Sequence, residues 1–354
     1  MTNDLSQDQR MHRICASLSS AGFEVLLVGR QLQDSLALEE YSFQTKRLRC
    51  FFNSGLLFYA EYNLRLFLYL LFQSVEVINS VDLDTLIAGR LASALKRKRF
   101  MFDAHELFTE VPELENKPFK KWIWSIVERG VVKGNMSCYT VNRYLAKELL
   151  KRTGKEFDVI YNYPIAQKIS GPRDIQTPIQ LVYQGVLNAG RGLEEMITAV
   201  GSDDKYSLHI IGRGDIENEI KDSASLHTNI HFHGFVSPSQ LHKLTSQFDI
   251  GLNLLSDRSH NYVYSSANKF FDYIMAGIPV ISMDFPEYRQ VNDEYEIGIL
   301  IDNLSQESII TAIDLISQQY RRFSQHCAEA SKELNWSGEA KKLLEIYGLP
   351  ILQI

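Results

Sequence analysis

The sequence predicts an α/β protein made of two doubly wound domains that face each other across a cleft. Three observations carry this expectation. Short apolar runs alternate with helical stretches of ten or more residues along nearly the whole chain, and parallel strands need such crossovers where antiparallel ones do not. The 354 residues, at about 150 per domain, make roughly two domains. The alternation pauses once, at 163–173, where proline, glycine and charge replace periodicity. Charge balance also changes there. Residues 1–165 carry 22 Lys+Arg against 19 Asp+Glu, a balance of +3, and residues 166–354 carry 15 against 24, a balance of -9. The expected domains are 1–165 and 166–354, with the last helix packing back on the first.

In the first domain the pattern predicts helices over 10–21, 54–73, 83–96, 118–133 and 142–153. Strands are expected at 23–29, 75–78, 99–103, 137–140 and 158–161. The helical pattern begins by Asp8, where a doubly wound domain would first need a strand. Either that strand is missing or the sheet begins differently. In the second domain strands are expected at 179–183, 207–211, 230–233, 250–254, 279–282 and 297–301. Helices are expected at 193–200, 237–246, 267–276, 305–334 and 337–347.

Composition narrows the function. The formal net charge is -6, which argues against a nucleic-acid groove. Hydrophobic residues make up 45% and charged residues 23%, values of a soluble globular chain. The four cysteines, Cys15, Cys50, Cys138 and Cys327, stand far apart, as reduced cytosolic thiols do. The first residues are polar and acidic, unlike a signal peptide. The apolar stretch 56–72 is broken by Glu61, Asn63 and Arg65 and is expected as a buried or surface-docking helix, not a membrane span.

The chemistry concentrates in the second half. Tyr262–Met283 places Ser265 and Ser266 at an expected helix start, where hydroxyls and free N–H groups can hold a phosphate. Lys269 and Asp272, three apart, share a helix face. They suit a diphosphate and a ribose diol, or else form an ordinary surface pair. Leu181–Glu194 runs a strand into a loop with Gly185, Gly190 and Gly192, where Arg191 adds a forked donor. Ser207–Asp215 ends a strand in Gly212-Arg213-Gly214, and Ile230–Val236 ends one at Gly234. Each alone reads first as a plain turn. Together they gather at the carboxyl edge of the sheet, where doubly wound domains bind ligands. In the first half, His105 at the end of a strand is suited to a sugar hydroxyl or phosphate, or is a polar loop residue. His231 and His233 alternate on one strand face with no third ligand in sight, so no metal site is expected.

These segments together resemble the family 4 glycosyltransferases, two-domain enzymes of the GT-B architecture with two Rossmann-like domains. The matches are Tyr161-Asn162-Tyr163-Pro164, Gly185 through Glu194, Ile211-Gly212-Arg213-Gly214, Gly234-Phe235-Val236 and, most specifically, Asn268 through Ile281. Asp82 through Leu86 and Asp103 through Leu107 also fit. The resemblance implies transfer of a sugar from a nucleotide-sugar donor with retention of configuration, without bound metal or cofactor. It implies catalytic roles for His105, Arg191 and Lys269. It implies nucleotide-sugar contacts from Gly185, Asn188, Gly212, Gly214, Phe235, Val236, Ser265, Ser266 and Asp272. Tyr264 stands where the family has the first of two paired glutamates, and Val186 stands where many members have an arginine.

Lys117–Trp124 mixes cations with aromatics, beside the cluster Lys96-Arg97-Lys98-Arg99. This reads as a solvated basic face with tryptophans in the core, or as a peripheral membrane contact. The implied acceptor is a glycan or a lipid-linked molecule of cell-surface polysaccharide assembly, and the implied location is the cytoplasm, at the inner face of the membrane. A sugar-nucleotide epimerase and a catalytically silent nucleotide-sugar binder are the alternatives.

Overall fold

The structure is a computed structural model that describes residues 1–348, apart from 7, 34, 36, 112, 113, 115, 116, 170, 172 and 173, and gives the backbone alone at 239. It separates into two compact units. One is Met1–Asn162 together with the segment from Glu339 onward, and the other is Tyr163–Gly338. The expected linker at 163–173 lies partly outside the described residues.

In the first unit the order is α1 (Gln9–Ser20), β1 (Leu26–Arg30), β2 (Gln44–Leu48), α2 (Gly55–Leu71), β3 (Val77–Val81), α3 (Leu83–Lys96) and β4 (Arg99–Ala104). Then come α4 (Pro118–Val131), β5 (Ser137–Thr140), α5 (Arg143–Thr153) and β6 (Asp158–Val159). Strands β3, β4, β5 and β6 form one parallel sheet in that order, and β1 pairs in parallel with β2. The first residues run beside β1 without forming a strand: Asp4 bridges Arg30, and the Met1 ammonium donates to Val28 O at 3.0 Å. Strand β2, Gln-Thr-Lys-Arg-Leu, is half polar and pairs on one side only, so it shows no apolar run in the sequence.

The second unit contains β7 (Ile179–Gln184), α6 (Leu193–Val200), β8 (Tyr206–Ile211), α7 (Glu217–Ser225), β9 (Ile230–Gly234), α8 (Pro238–Thr245) and β10 (Ile250–Asn253). It continues with α9 (His260–Val263), α10 (Asn268–Ala276), β11 (Val280–Met283), α11 (Pro286–Tyr295), β12 (Gly298–Ile301), α12 (Gln306–Gln318) and α13 (Tyr320–Ala330). Helix α14 (Trp336–Tyr347) starts here and belongs to the first unit from Glu339 on. There Glu339 accepts from Tyr161 N at 2.8 Å, and Arg99 donates to Tyr347 O at 2.9 Å. The sheet order is β12-β11-β10-β7-β8-β9, all parallel, so the winding direction reverses between β7 and β10. Strands β10 and β11 are buried throughout and β7 nearly so, as strands covered on both faces must be. Helices α7 and α11 escaped the sequence reading because they bury only two or three residues each, too few to mark a stripe.

At the reversal the ladder gives out early. β7 and β10 pair only through Leu181 with Ile250 and Val182 with Gly251. Beyond that point the backbone N–H of Gln184 is buried and donates to the Tyr273 hydroxyl at 3.0 Å. The same hydroxyl reaches Val182 O at 3.2 Å and Leu252 O at 3.4 Å, one acceptor on each strand. The ring fits because residue 251 is glycine: a Cβ there would lie 2.3 Å from Tyr273 Cδ2. Helix α10 is thereby fixed over the parting of the strands. Tyr273→Phe should lower unfolding free energy in denaturant by about 1–3 kcal/mol, the cost of stranding a buried N–H. A loss within error of zero would mean the hydroxyl is dispensable.

Candidate functional site

Four strand ends and their loops build the candidate site in the second unit. After β7 the chain passes Gly185 at φ +136°, and after β8 it passes Gly212 at φ +146°, backbone that only glycine adopts without strain. The two are packed back to back. A Cβ on Gly212 would lie 1.8 Å from Gly185 O, and Gly185 N donates to Ile211 O at 3.0 Å. Gly212 N donates in turn to Gly234 O at 2.8 Å, which ties the end of β9 to the same edge. Gly214 packs on the Leu187 backbone, where a Cβ would come within 2.4 Å of Leu187 O. The Asn188 side chain accepts from Asp215 N at 3.2 Å and so holds this turn.

Lys269, in the first turn of α10, reaches this edge from above. It is only 5% exposed. A Cβ on Gly185 would lie 3.4 Å from Lys269 Cε, and the Lys269 ammonium sits 3.6 Å from the centre of the Tyr183 ring. Its Nζ makes no hydrogen bond. Burial, with the Arg191 charge nearby, holds this ammonium well below the usual lysine value. Arg191 lies over the Tyr262 ring at 5.5 Å, near enough to Tyr183 for its charge to act on that hydroxyl, while its buried Nε has no hydrogen-bond partner. Two cations therefore converge beside a glycine loop, and among the described residues no carboxylate pairs with either, an arrangement suited to a multiply charged anionic ligand.

One turn on from Lys269, Asp272 accepts from Gln184 Nε2 at 3.2 Å, and Gln184 Oε1 accepts from Thr245 at 2.6 Å. On the far side, the Arg213 guanidinium stands 4.6 Å over the half-exposed Phe235 ring, with Val236 beside it in the chain. Ser265 and Ser266 do not cap the helix: the N-cap is Ala267, with no side-chain bond. Helix α10 starts at Asn268, one residue beyond the expected 267, and the short helix α9 precedes it. Ser265 Oγ instead donates to Tyr262 O at 2.8 Å and meets Tyr288 OH at 3.0 Å, while Ser266 Oγ is buried without a partner.

In the first unit, His105 closes β4 and is clamped by carboxylates. Its Nε2 stands 2.9 Å from Asp103 Oδ2 and its Nδ1 3.7 Å from Asp82 Oδ2, and its backbone N–H donates to Asp82 Oδ1 at 2.8 Å. Asp103, fully buried, also takes two bonds from Arg10, at 3.0 and 3.2 Å. Burial lowers the His105 pKa, but Asp103 and Asp82 outweigh it and raise it to about 9. Burial lifts the Asp82 carboxyl to about 7 against the pull of His105. The imidazolium is thus held in one orientation at neutral pH.

Comparison with known proteins bears on the whole chain. Residues 167–334 match the family described as Glycosyl transferases group 1, and residues 7–163 match Glycosyltransferase Family 4. The chain is a family 4 glycosyltransferase. No curated protein matches it, but solved structures share its fold. Sucrose-phosphate synthase from Thermosynechococcus elongatus is 16% identical, with 95% of this chain and 91% of that one covered at a TM-score of 0.75. Anabaena HepE in complex with UDP-glucose is 12% identical, with 98% of each chain covered at 0.77. WaaG, a glycosyltransferase of lipopolysaccharide biosynthesis, is 14% identical, with 96% of each covered at 0.65. The fold is GT-B, the architecture expected from the sequence.

In this glycosyltransferase the structure brings Gly185, Gly212, Arg191 and Lys269 together, with Asp272 one residue removed through Gln184. The reading of Lys269 and Asp272 as a surface pair fails, because Lys269 is buried. Phe235 lies along the same edge, linked through Gly212 and Gly234. Val186 is half exposed, and its carbonyl accepts from Tyr183 OH at 2.6 Å. Tyr264 ends α9, its ring 6.3 Å from His260. Sequence reasoning missed Tyr183 and Tyr262, which seat the two cations. Tyr183 was hidden inside an apolar run, although its place two residues before Gly185 put it on the strand face that Gly185 continues. His231 and His233 stack with His209, where His209 Nδ1 and His233 Nε2 lie 2.9 Å apart. Among the described residues no group of three or more His, Cys, Asp or Glu is placed to hold a metal ion.

Replacing Lys269 separates stability from binding. Below its depressed folded pKa the wild type bears the full cost of burying an unpaired ammonium, so its stability rises with pH from there toward the unfolded value of about 10.4. Lys269→Met should raise unfolding free energy at neutral pH by about 1–3 kcal/mol and flatten that rise. Denaturant curves at several pH values check it, and a destabilised variant would mean the ammonium has a partner.

Proposed function

We propose that this glycosyltransferase transfers a sugar, with retention of configuration, from a nucleoside-diphosphate sugar to a glycan or lipid-linked acceptor in the synthesis of a cell-surface polysaccharide. The observation that carries this reading is the buried Lys269 ammonium, without a partner and beside Arg191 at the Gly185 loop. The chain shares its fold with HepE, whose structure holds UDP-glucose, and UDP-linked hexoses are therefore the first donors to test.

In the reaction, the bond from sugar C1 to the diphosphate oxygen breaks and a bond from C1 to the acceptor oxygen forms. The acceptor hydroxyl proton leaves with the nucleoside diphosphate. Negative charge grows on the departing diphosphate, and Lys269 and Arg191 stabilise it in a site screened from water. Two protein cations do here what a bound metal does elsewhere, so the proposal requires no metal and no cofactor. Gly185 and Gly212 leave the backbone bare for close approach of the phosphates. Asp272, held at the end of β7 by Gln184 Nε2, meets a ribose hydroxyl. Gly214, with the turn that Asn188 holds, frames the loop on which the donor rests. Phe235 and Val236 meet the base, and Ser265 and Ser266 lie toward the phosphates. His105, kept protonated and aimed by Asp103, donates to a hydroxyl of the transferred sugar. The enzyme works in the cytoplasm, at the inner face of the membrane when the acceptor is lipid-linked.

The test is radiolabelled UDP-glucose or UDP-galactose with lipid-linked glycans extracted from the source cells, the product anomer being read by NMR. Label should pass to the acceptor with unchanged anomeric configuration, and Lys269→Ala should cut the rate by about a thousandfold. Label released only as free sugar, donor epimerised without acceptor, or an unaffected variant would overturn the assignment.

A further inference from the structure

The first unit exposes apolar side chains along three neighbouring helices, and the proposed reaction uses none of them. Helix α2 buries Phe58, Tyr62 and Leu66 in a core cluster with Val28 and Leu48. Its opposite face carries Leu57, Leu64 and Leu68, all exposed. Their spacing of seven and four residues keeps them in one stripe. Helix α3 lies between α2 and α4 and repeats the arrangement. It turns Leu86, Ala88 and Ala92 inward and leaves Ile87, Leu91 and Leu95 exposed at intervals of four. On α4, Trp124 is 5% exposed and packs edge-on against Tyr59 of α2, whereas Phe119, Trp122 and Ile126 face outward, Trp122 at 60%. The tryptophans therefore divide: one joins the core and the other does not.

Among the described residues the exposed charges around these stripes are mostly cations; Glu76, which pairs with Lys98 beyond the end of α3, is the exception. Arg97 follows α3, Lys117 precedes α4, Arg129 ends it and Lys133 follows, and all four are exposed. The acidic residues of these helices are turned away or engaged. Asp84 and Glu128 are buried, and Glu61 holds Phe51 N, Phe52 N and Arg65. No helix among the described residues is long and apolar enough to cross a membrane. Amphipathic helices with leucine and tryptophan on one face and cations at the rim lie in an anionic lipid surface. A second copy docking through the same face would set cation against cation.

From this face we infer that the first unit docks peripherally on an anionic bilayer, with the α2, α3 and α4 stripes in the headgroup boundary and the cations on lipid phosphates. The inference rests on this face alone and stands apart from the donor reading in the other unit.

The experiment is flotation of the full-length protein with vesicles of phosphatidylcholine alone, and of phosphatidylcholine and phosphatidylglycerol in equal parts. Binding should appear only with the anionic vesicles and weaken with salt. Of the three tryptophans only Trp122 is exposed, so its emission should shift to shorter wavelength on binding. In Trp122→Phe that shift should vanish while flotation persists. Leu64→Gln with Leu91→Gln should lower partitioning at least about tenfold, the combined effect of two lost apolar contacts. Circular dichroism and a wild-type denaturation midpoint for the same double variant show that it still folds, because both leucines are exposed and neither belongs to the core. No flotation with anionic vesicles, or flotation unchanged in the double variant, would overturn the proposal. So would a dimer in light scattering that the same substitutions dissociate, since the face would then be an interface between copies.

Discussion

The second unit depends on how its sheet is held where two strands part. Parallel strands that diverge leave backbone donors with no ladder partner, and here the buried N–H of Gln184 is such a donor. The Tyr273 hydroxyl accepts from it and donates back to the strands on either side. That contact fixes the height and rotation of α10 over the sheet edge. Lys269 sits one helical turn before Tyr273 and is delivered to Gly185, and Asp272, its neighbour in the chain, is delivered to Gln184. The missing side chain of Gly251 is the condition for all of it, because any Cβ there would occupy the Tyr273 ring.

The two units treat buried charge in opposite ways, and the contrast identifies the anion site. In the first unit Arg10, Asp103, His105 and Asp82 form a chain in which each charge has a partner within hydrogen-bond or ion-pair distance. Such a network is self-contained and orients the imidazole. In the second unit Lys269 and Arg191 approach one another with no carboxylate paired to either among the described residues, and Lys269 Nζ and Arg191 Nε make no hydrogen bond. A buried cation with no partner is destabilising. It persists where a ligand supplies the missing charge.

The α/β class and the family were legible because buried parallel strands are written as continuous apolar runs and because Asn268–Ile281 carries a strong local pattern. The glycines were legible as turns, but not the reason for them: that Gly212 must admit the Gly185 carbonyl is a fact of two strands distant in sequence. Strand β2 and helices α7 and α11 went unread because surface elements bury too little to leave a period. The seats of the cations, Tyr183 and Tyr262, look like ordinary strand and loop aromatics until folding places Lys269 and Arg191 over them. Asn188 was legible as a polar loop residue, but its bond to Asp215 N needed the Gly212–Gly214 turn to come alongside. The helix start was legible to within one residue, but the capping role expected of the serines was not, because the N-cap falls on Ala267 and Ser265 bonds Tyr262 O instead.

The central claim is that a depressed, unpartnered Lys269 ammonium receives a phosphate group, and proton linkage tests it most directly. A diphosphate beside Lys269 stabilises the protonated form and raises its pKa. UDP binding in mildly alkaline solution should therefore take up protons. Titration calorimetry in buffers of different ionisation enthalpy would show this as a slope in apparent binding enthalpy, present in the wild type and absent in Lys269→Met. Binding with no difference in slope between the two proteins would contradict the account, and would place the phosphates away from Lys269.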